Sequence, residues 1–140
     1  TGPIGAALLG FEALRNETGG DTGAYRRPRP RLAEGRALAP LVTAMMDISD
    51  GLLLDAWRMA GASDTTFELD SPSVPVADRA RRGACLRWGD DYELLFTAPP
   101  GMALPVAAHR IGTVLARGVS SLVLDGIALT DDGTLGYRHG

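Results

Sequence analysis

Apolar residues recur along the chain at spacings that predict helices packed on a sheet. Between residues 52 and 60 they recur at steps of three and four, which is typical of a helix with one buried stripe. Asp55 and Arg58 are expected on the exposed side of this helix, and Gly61 is expected to end it. The same spacing predicts a shorter amphipathic helix over residues 6–17.

Short apolar or alternating runs predict the strands. These runs lie at residues 41–46, 65–70, 92–97 and 109–115. Asp125-Gly126, between two further apolar runs, predicts a β-hairpin, and helices are predicted over residues 32–41 and 76–82. The order of these elements predicts an α+β fold in which helices are layered on a mixed sheet of about five strands.

Length and composition are those of one globular domain. The chain has 140 residues, of which 45% are hydrophobic and 22% charged, so extensive disorder is excluded. The helix and glycine-rich linker of residues 1–24 are expected to belong to the same domain as residues 25–140. No apolar run approaches the roughly 18 residues that a membrane span requires, and the N-terminus lacks a signal-peptide pattern. These observations predict a cytoplasmic protein with no membrane partner.

Charge and cysteine content narrow the possible chemistry. The net charge of -3 gives no indication of nucleic-acid binding. All 14 basic residues are arginine, so a P-loop lysine is excluded and any phosphate must be held by arginine, backbone N–H groups or metal. Cys85 is the only cysteine, which excludes an intrachain disulfide and fits a reducing compartment.

Residues 45–52, MMDISDGL, gather acidic and hydroxyl groups where a strand is expected to lead into a helix. The spacing of Asp47 and Asp50 can bring two carboxylates and the positive end of a helix dipole to one corner, which favours magnesium and phosphate. The alternative is that Ser49 or Asp50 is an ordinary helix cap and Asp47 a turn residue. Spacing alone leaves both interpretations open.

Three other features have both a functional and a structural interpretation. Glu93 shares a predicted strand face with Leu95, so its carboxylate is either partnered at the end of the strand or an edge-strand charge that limits aggregation. The arginine-rich residues 25–31, with alternate prolines, are predicted to be extended, either as a strap over an anionic ligand or as a solvated linker. His109 is isolated from other ligand-type residues, which favours a surface or core position over a metal site.

The ordered motifs of the chain resemble the C-terminal domain of the thiamine-monophosphate kinase family, in the superfamily of aminoimidazole ribonucleotide synthetase and selenophosphate synthetase. The motifs that carry the resemblance are Thr1-Gly2 with Gly5, Arg29-Pro30-Arg31 with Gly35, MDISDGL at 46–52, GDDYELL at 89–95, and Ile111-Gly112. The resemblance covers nearly the whole chain and implies the fold of the C-terminal domain of aminoimidazole ribonucleotide synthetase.

The resemblance implies transfer of the γ-phosphate of ATP to thiamine monophosphate, giving thiamine diphosphate without a covalent intermediate. Asp47 and Asp50 would bind magnesium, Ser49 would contact ATP, and Glu93 and Tyr137 would hold the substrate, with no side chain acting as acid or base. The N-terminal half of the family is missing, so the chain is expected to be inactive alone and its parent to dimerise through that half. Two alternatives remain: a superfamily enzyme with another small-molecule acceptor, and a non-catalytic binding or assembly domain.

Overall fold

A computed structural model describes residues 1–138, which form five α-helices and six strands. The helices are α1 (Ala6–Arg15), α2 (Gly23–Arg26), α3 (Leu32–Leu38), α4 (Leu52–Ala62) and α5 (Arg82–Arg87). The strands are β1 (Ala44–Asp47), β2 (Thr65–Leu69), β3 (Leu94–Thr97), β4 (Gly112–Ala116), β5 (Leu122–Leu124) and β6 (Ile127–Leu129). A short 3-10 turn, Ser71–Ser73, follows β2.

The strands divide between two sheets. β1 and β3 form an antiparallel pair, and the other four lie in the order β4-β2-β5-β6, in which only β2 and β5 are parallel. The α+β class is therefore confirmed, with the strands arranged as two sheets in place of one sheet of about five strands. The predicted hairpin is also confirmed, since Asp125 and Gly126 both take positive φ, 51° and 80°, between β5 and β6.

Helix α4 is the centre of the core and packs on β2 and β5. Its residues Leu52, Leu53 and Leu54 are almost completely buried, because the helix has neighbours on several sides. The prediction that Asp55 faces solvent is wrong: Asp55 is fully buried. The helix also continues through Gly61 and ends at Ala62, so the predicted stop is one residue early.

Two segments differ from the sequence prediction because of tertiary contacts. The helix predicted over residues 76–82 is wrong: Val76 forms a β-bridge with Ile4, and the helix begins only at Arg82. In the arginine-rich segment, Tyr25 and Arg26 lie in α2 instead of an extended chain, and the Tyr25 ring packs edge-on against Phe11 of α1 at 5.3 Å between ring centroids. No helix within residues 1–138 is long and apolar enough to cross a membrane.

Candidate functional site

The acidic loop, residues 48–51, connects β1 to α4 and is held through its backbone by two other segments. Ile48 N–H donates to the Glu93 carbonyl at 2.8 Å, and Tyr92 N–H donates to the Ile48 carbonyl at 2.8 Å. The Ser49 carbonyl accepts from Asp90 N–H at 2.9 Å. On the other side, Tyr137 N–H donates to the Asp50 carbonyl at 2.8 Å. Segments 90–93 and 137 therefore meet at the acidic loop, and Ser49, Asp50, Glu93 and Tyr137 come from neighbouring stretches of backbone.

Glycines allow these backbones to approach so closely. A Cβ atom on Gly89 would lie 2.2 Å from the Ser49 carbonyl oxygen, and one on Gly136 would lie 2.2 Å from the Asp50 carbonyl oxygen. Gly51 has φ +108°, and its Cβ would lie 2.5 Å from the Arg87 carbonyl oxygen. Any side chain at these positions would push the acidic loop away from its neighbours.

The buried carboxylate of Asp55 fixes the acidic loop from the inside. Its Oδ2 accepts from the backbone N–H groups of Ser49 and Asp50, both at 3.0 Å, and its Oδ1 accepts from Arg58 at 3.3 Å. Burial raises the pKa of Asp55, although the two backbone hydrogen bonds partly oppose this shift. The N-cap of α4 is Gly51, so the interpretation of Ser49 or Asp50 as the helix cap is wrong. Sequence reasoning missed this role of Asp55, although its position three residues after Leu52 places it on the buried stripe.

The two proposed magnesium ligands lie in different environments. Asp47 is exposed at the end of β1, whereas Asp50 is buried and its carboxylate accepts a hydrogen bond from the guanidinium of Arg58. Residues 1–138 contain no group of three or more His, Cys, Asp or Glu that could hold a metal ion. Magnesium is commonly held by one or two carboxylates together with waters and substrate phosphates. Asp47 is therefore accessible to an ion, whereas Asp50 is engaged by Arg58, and a magnesium ion held here would need waters or phosphate oxygens as further ligands.

Glu93 is buried just before β3 and bonded to three donors. It is 6% exposed, and its carboxylate accepts from Arg31 Nη2 at 2.5 Å, from Gly2 N–H at 2.7 Å, and from the Thr1 hydroxyl. Burial opposes ionisation, but the hydrogen bonds from Arg31 and Thr1 outweigh it and lower the pKa of Glu93. Of the two sequence interpretations, the partnered carboxylate is confirmed over the solvated edge-strand charge.

A groove of about 440 Å³ runs between α3 and the start of β3. Its lining is mostly apolar, with Asp47 and Arg31 among its polar members; the walls are completed by Pro30, Leu32, Gly35, Arg36, Ala39, Tyr92 and Leu94. A larger apolar cavity of about 510 Å³ lies between β3 and β4, but none of the five predicted site residues lines it. Of these five residues, only Asp47 lines the smaller groove.

Tyr137 and Asp91 complete the surroundings of the acidic loop. Tyr137 is 61% exposed, so its ring can contact a ligand while its backbone is tied to Asp50. Asp91, in the GDDYELL motif, accepts from Gly5 N–H at 2.7 Å and Ala7 N–H at 3.3 Å at the start of α1. Burial raises the pKa of Asp91 to about 6. No local sequence signal reveals this role, because the helix that Asp91 caps lies more than 80 residues away.

Comparison with known proteins connects this site to one family. Residues 2–125 match the family described as AIR synthase related protein, C-terminal domain. The chain belongs to this family. It is 36% identical over 148 residues to the thiamine-monophosphate kinase of Halobacterium salinarum and 33% identical over 164 residues to that of Salmonella typhimurium. These alignments cover 95% and 99% of the chain but 50% of each relative, so this AIR synthase related domain spans about half their length.

Solved structures of thiamine-monophosphate kinases are also similar to the chain, again over about half of their length. The AIR synthase related domain superposes on thiamine monophosphate kinase from Aquifex aeolicus with a TM-score of 0.81 and 27% identity, covering 92% of this chain and 49% of that one. The structure of AaThiL complexed with AMPPCP and TMP matches with a TM-score of 0.82 and 27% identity, covering 92% of this chain and 47% of that one. The fold predicted from the resemblance is therefore confirmed.

Proposed function

We propose that the chain is the C-terminal, substrate-side half of an ATP-dependent thiamine-monophosphate kinase, which phosphorylates thiamine monophosphate to thiamine diphosphate. The relatives that support this activity carry that name, and one similar structure holds AMPPCP, an analogue of ATP, together with TMP. The main supporting observation in the molecule is the acidic loop, which the backbones of Tyr92, Asp90 and Tyr137 hold beside Glu93.

Each predicted residue has a role that fits its surroundings. Asp47 and Asp50 are proposed to hold Mg²⁺, which neutralises phosphate charge when bound. Asp47 is exposed to receive the ion, whereas the Asp50 carboxylate must exchange its contact with Arg58. Ser49, between them, is proposed to contact the nucleotide. Glu93 and the exposed ring of Tyr137 are proposed to hold thiamine monophosphate. Because phosphoryl transfer depends on positioning and charge neutralisation, no residue is assigned as a general acid or base.

The proposal extends to the whole protein. Residues 1–24 are proposed to form one domain with residues 25–140, supported by the bridge between Ile4 and Val76 and by the Arg81–Glu12 ion pair at 2.8 Å. The parent is proposed to be a homodimer through its N-terminal half, and to act in the cytoplasm, where ATP is available. Neither nucleic acid nor membrane is proposed as a partner.

The test is conversion of thiamine monophosphate by the full-length protein in the presence of ATP and magnesium. We expect Asp47→Asn to lower kcat/KM by about 100-fold or more, because a charge-neutralising ligand is lost. Asp21→Asn makes the same change of charge at an exposed turn and should leave the rate unchanged. Absence of product from the unmodified protein would contradict the activity, and an active Asp47→Asn variant would contradict the metal site. Other phosphorylated acceptors, offered in parallel, would identify a superfamily enzyme with a different substrate.

A further inference from the structure

Arg31 belongs to the arginine-rich segment that the sequence left open as either a strap or a linker. Its guanidinium lies between two carboxylates, with Nη2 at 2.5 Å from Glu93 Oε1 and Nη1 at 3.3 Å from Glu34 Oε1. The side chain is 31% exposed, whereas that of Glu93 is 8% exposed. Arg31 therefore reaches from the groove to a buried carboxylate that lies 62 positions further along the chain.

The acceptor positions of Glu93 show what Arg31 controls. An ionised carboxylate offers about four lone-pair positions. Oε2 accepts from both Gly2 N–H and the Thr1 hydroxyl, whereas within the described chain Oε1 accepts from Arg31. Arg31 therefore fixes one oxygen of the Glu93 carboxylate, and residues 1–2 fix the other. Gly2 also packs closely against the whole carboxylate, since a Cβ on Gly2 would lie 2.6 Å from Oε1 and 2.9 Å from Oε2.

The Arg31 guanidinium offsets surroundings that disfavour the charged form of Glu93. Glu93 is buried, and the carboxylate of Asp91, whose pKa is raised mainly by burial and to a smaller extent by the charge of Glu93, lies nearby. Burial by itself favours the neutral acid, which would donate a hydrogen bond instead of accepting one. Arg31 supplies a planar donor with a permanent charge, which lysine does not reproduce.

We propose that Arg31 is a positioning residue that holds the Glu93 carboxylate in its orientation through the hydrogen bond to Oε1. This inference rests on the proposed role of Glu93 in holding thiamine monophosphate. Arg31 lines the groove next to Asp47, so the arginine-rich segment forms part of the site wall through this residue. Because Arg31 acts through Glu93, its loss should weaken acceptor binding selectively and leave ATP binding intact.

The kinetic test compares Arg31→Gln and Arg31→Lys with two control variants of the full-length protein. We expect Arg31→Gln to raise KM for thiamine monophosphate by about 10- to 100-fold, the loss typical of a hydrogen bond to a buried charge, while KM for ATP changes by less than about threefold. Arg31→Lys should restore part of the loss because it restores the charge. Glu34→Gln removes the more exposed partner of Arg31, and Arg79→Gln makes the same change of charge at an exposed arginine outside the groove; both should stay close to the unmodified protein.

A titration separates positioning from a general loss of structure. The ¹³C signal of the Glu93 carboxyl carbon should titrate at a higher pH in Arg31→Gln, since burial would then be opposed by fewer donors, and KM for thiamine monophosphate should rise as this group is protonated. An unchanged Glu93 titration, an unchanged KM for thiamine monophosphate, or an equal rise in both KM values would overturn the role of Arg31. If the proposed function is wrong, the unmodified protein will not turn over thiamine monophosphate. The titration of the Glu93 carboxyl group would then still show whether Arg31 affects it.

Discussion

Substitution of Asp91 by asparagine should change how stability depends on pH. Asp91 accepts one backbone hydrogen bond on each carboxylate oxygen, from Gly5 N–H and from Ala7 N–H, and an asparagine side chain, with its single oxygen, can accept only one of them. The substitution therefore keeps the shape of the side chain, loses one of the two hydrogen bonds at every pH, and removes the ionisable group. Any difference in pH dependence between the two proteins then reports on the ionisation of this one carboxyl.

The sign and size of the effect follow from the raised pKa. Burial raises the pKa of Asp91 from 3.8 to about 6, so the folded state binds its proton more tightly than the unfolded chain does. The stability that this group contributes is therefore fully present below about pH 4 and is lost as the pH rises through about 6. A shift of about two pKa units corresponds to at most about 3 kcal/mol of unfolding free energy.

Urea unfolding of both proteins at pH values from about 4 to about 7.5 measures this effect. We expect the stability of the unmodified chain, relative to Asp91→Asn, to fall by up to about 3 kcal/mol across that range. Asp21→Asn, at an exposed turn, controls for the change of net charge and should follow the unmodified chain. Parallel curves for Asp91→Asn and the unmodified chain, or a relative gain of stability toward neutral pH, would refute the reasoning.

Two further substitutions test how the acidic loop is held. Asp55→Ala should lower the free energy of unfolding, measured by chemical denaturation, by about 3–5 kcal/mol, because two buried backbone N–H groups lose their acceptor. The matched control is Asp70→Ala at an exposed position, which should lower it by about 1 kcal/mol. Gly89→Ala should lower the free energy of unfolding by more than about 2 kcal/mol, because the new methyl group meets the Ser49 carbonyl oxygen. Its control, Gly83→Ala in α5, should leave the free energy of unfolding unchanged or raise it. An Asp55→Ala loss no larger than that of Asp70→Ala, or equal effects at the two glycines, would contradict these contacts.

Local patterns predicted the elements whose signal lies within a few consecutive residues. The hairpin at Asp125-Gly126 and the strand β2 were predicted because turn chemistry and alternation act over a few residues. The acidic loop was recognised as candidate chemistry for the same reason. The buried side of α4 was only partly predicted: Asp55 lies on the apolar stripe, but its charge suggested solvent, since the backbone donors that compensate it are not visible in a hydrophobic pattern.

The remaining contacts depend on distant partners. Arg31 reaches Glu93 across 62 positions, and Asp91 reaches Gly5 across 86, so neither pair has a local signal. The helix predicted over residues 76–82 is wrong because Val76 pairs with Ile4. Helix propensity is computed within one segment and takes no account of such a distant partner. The five proposed ligand-binding residues stay predictions in their roles, although four of them are now seen to come from adjoining backbone segments.

The contact between Tyr137 and the Asp50 carbonyl has a practical consequence for anyone who expresses this protein. Leu135 is 2% exposed and Gly136 fits against the Asp50 backbone, so this C-terminal stretch is built into the interior. A boundary drawn before residue 135 would remove one side of the support for the acidic loop while leaving both sheets intact. Shortened versions of the protein could then look well folded by circular dichroism and still handle ligands poorly, and an affinity tag is better joined through a spacer.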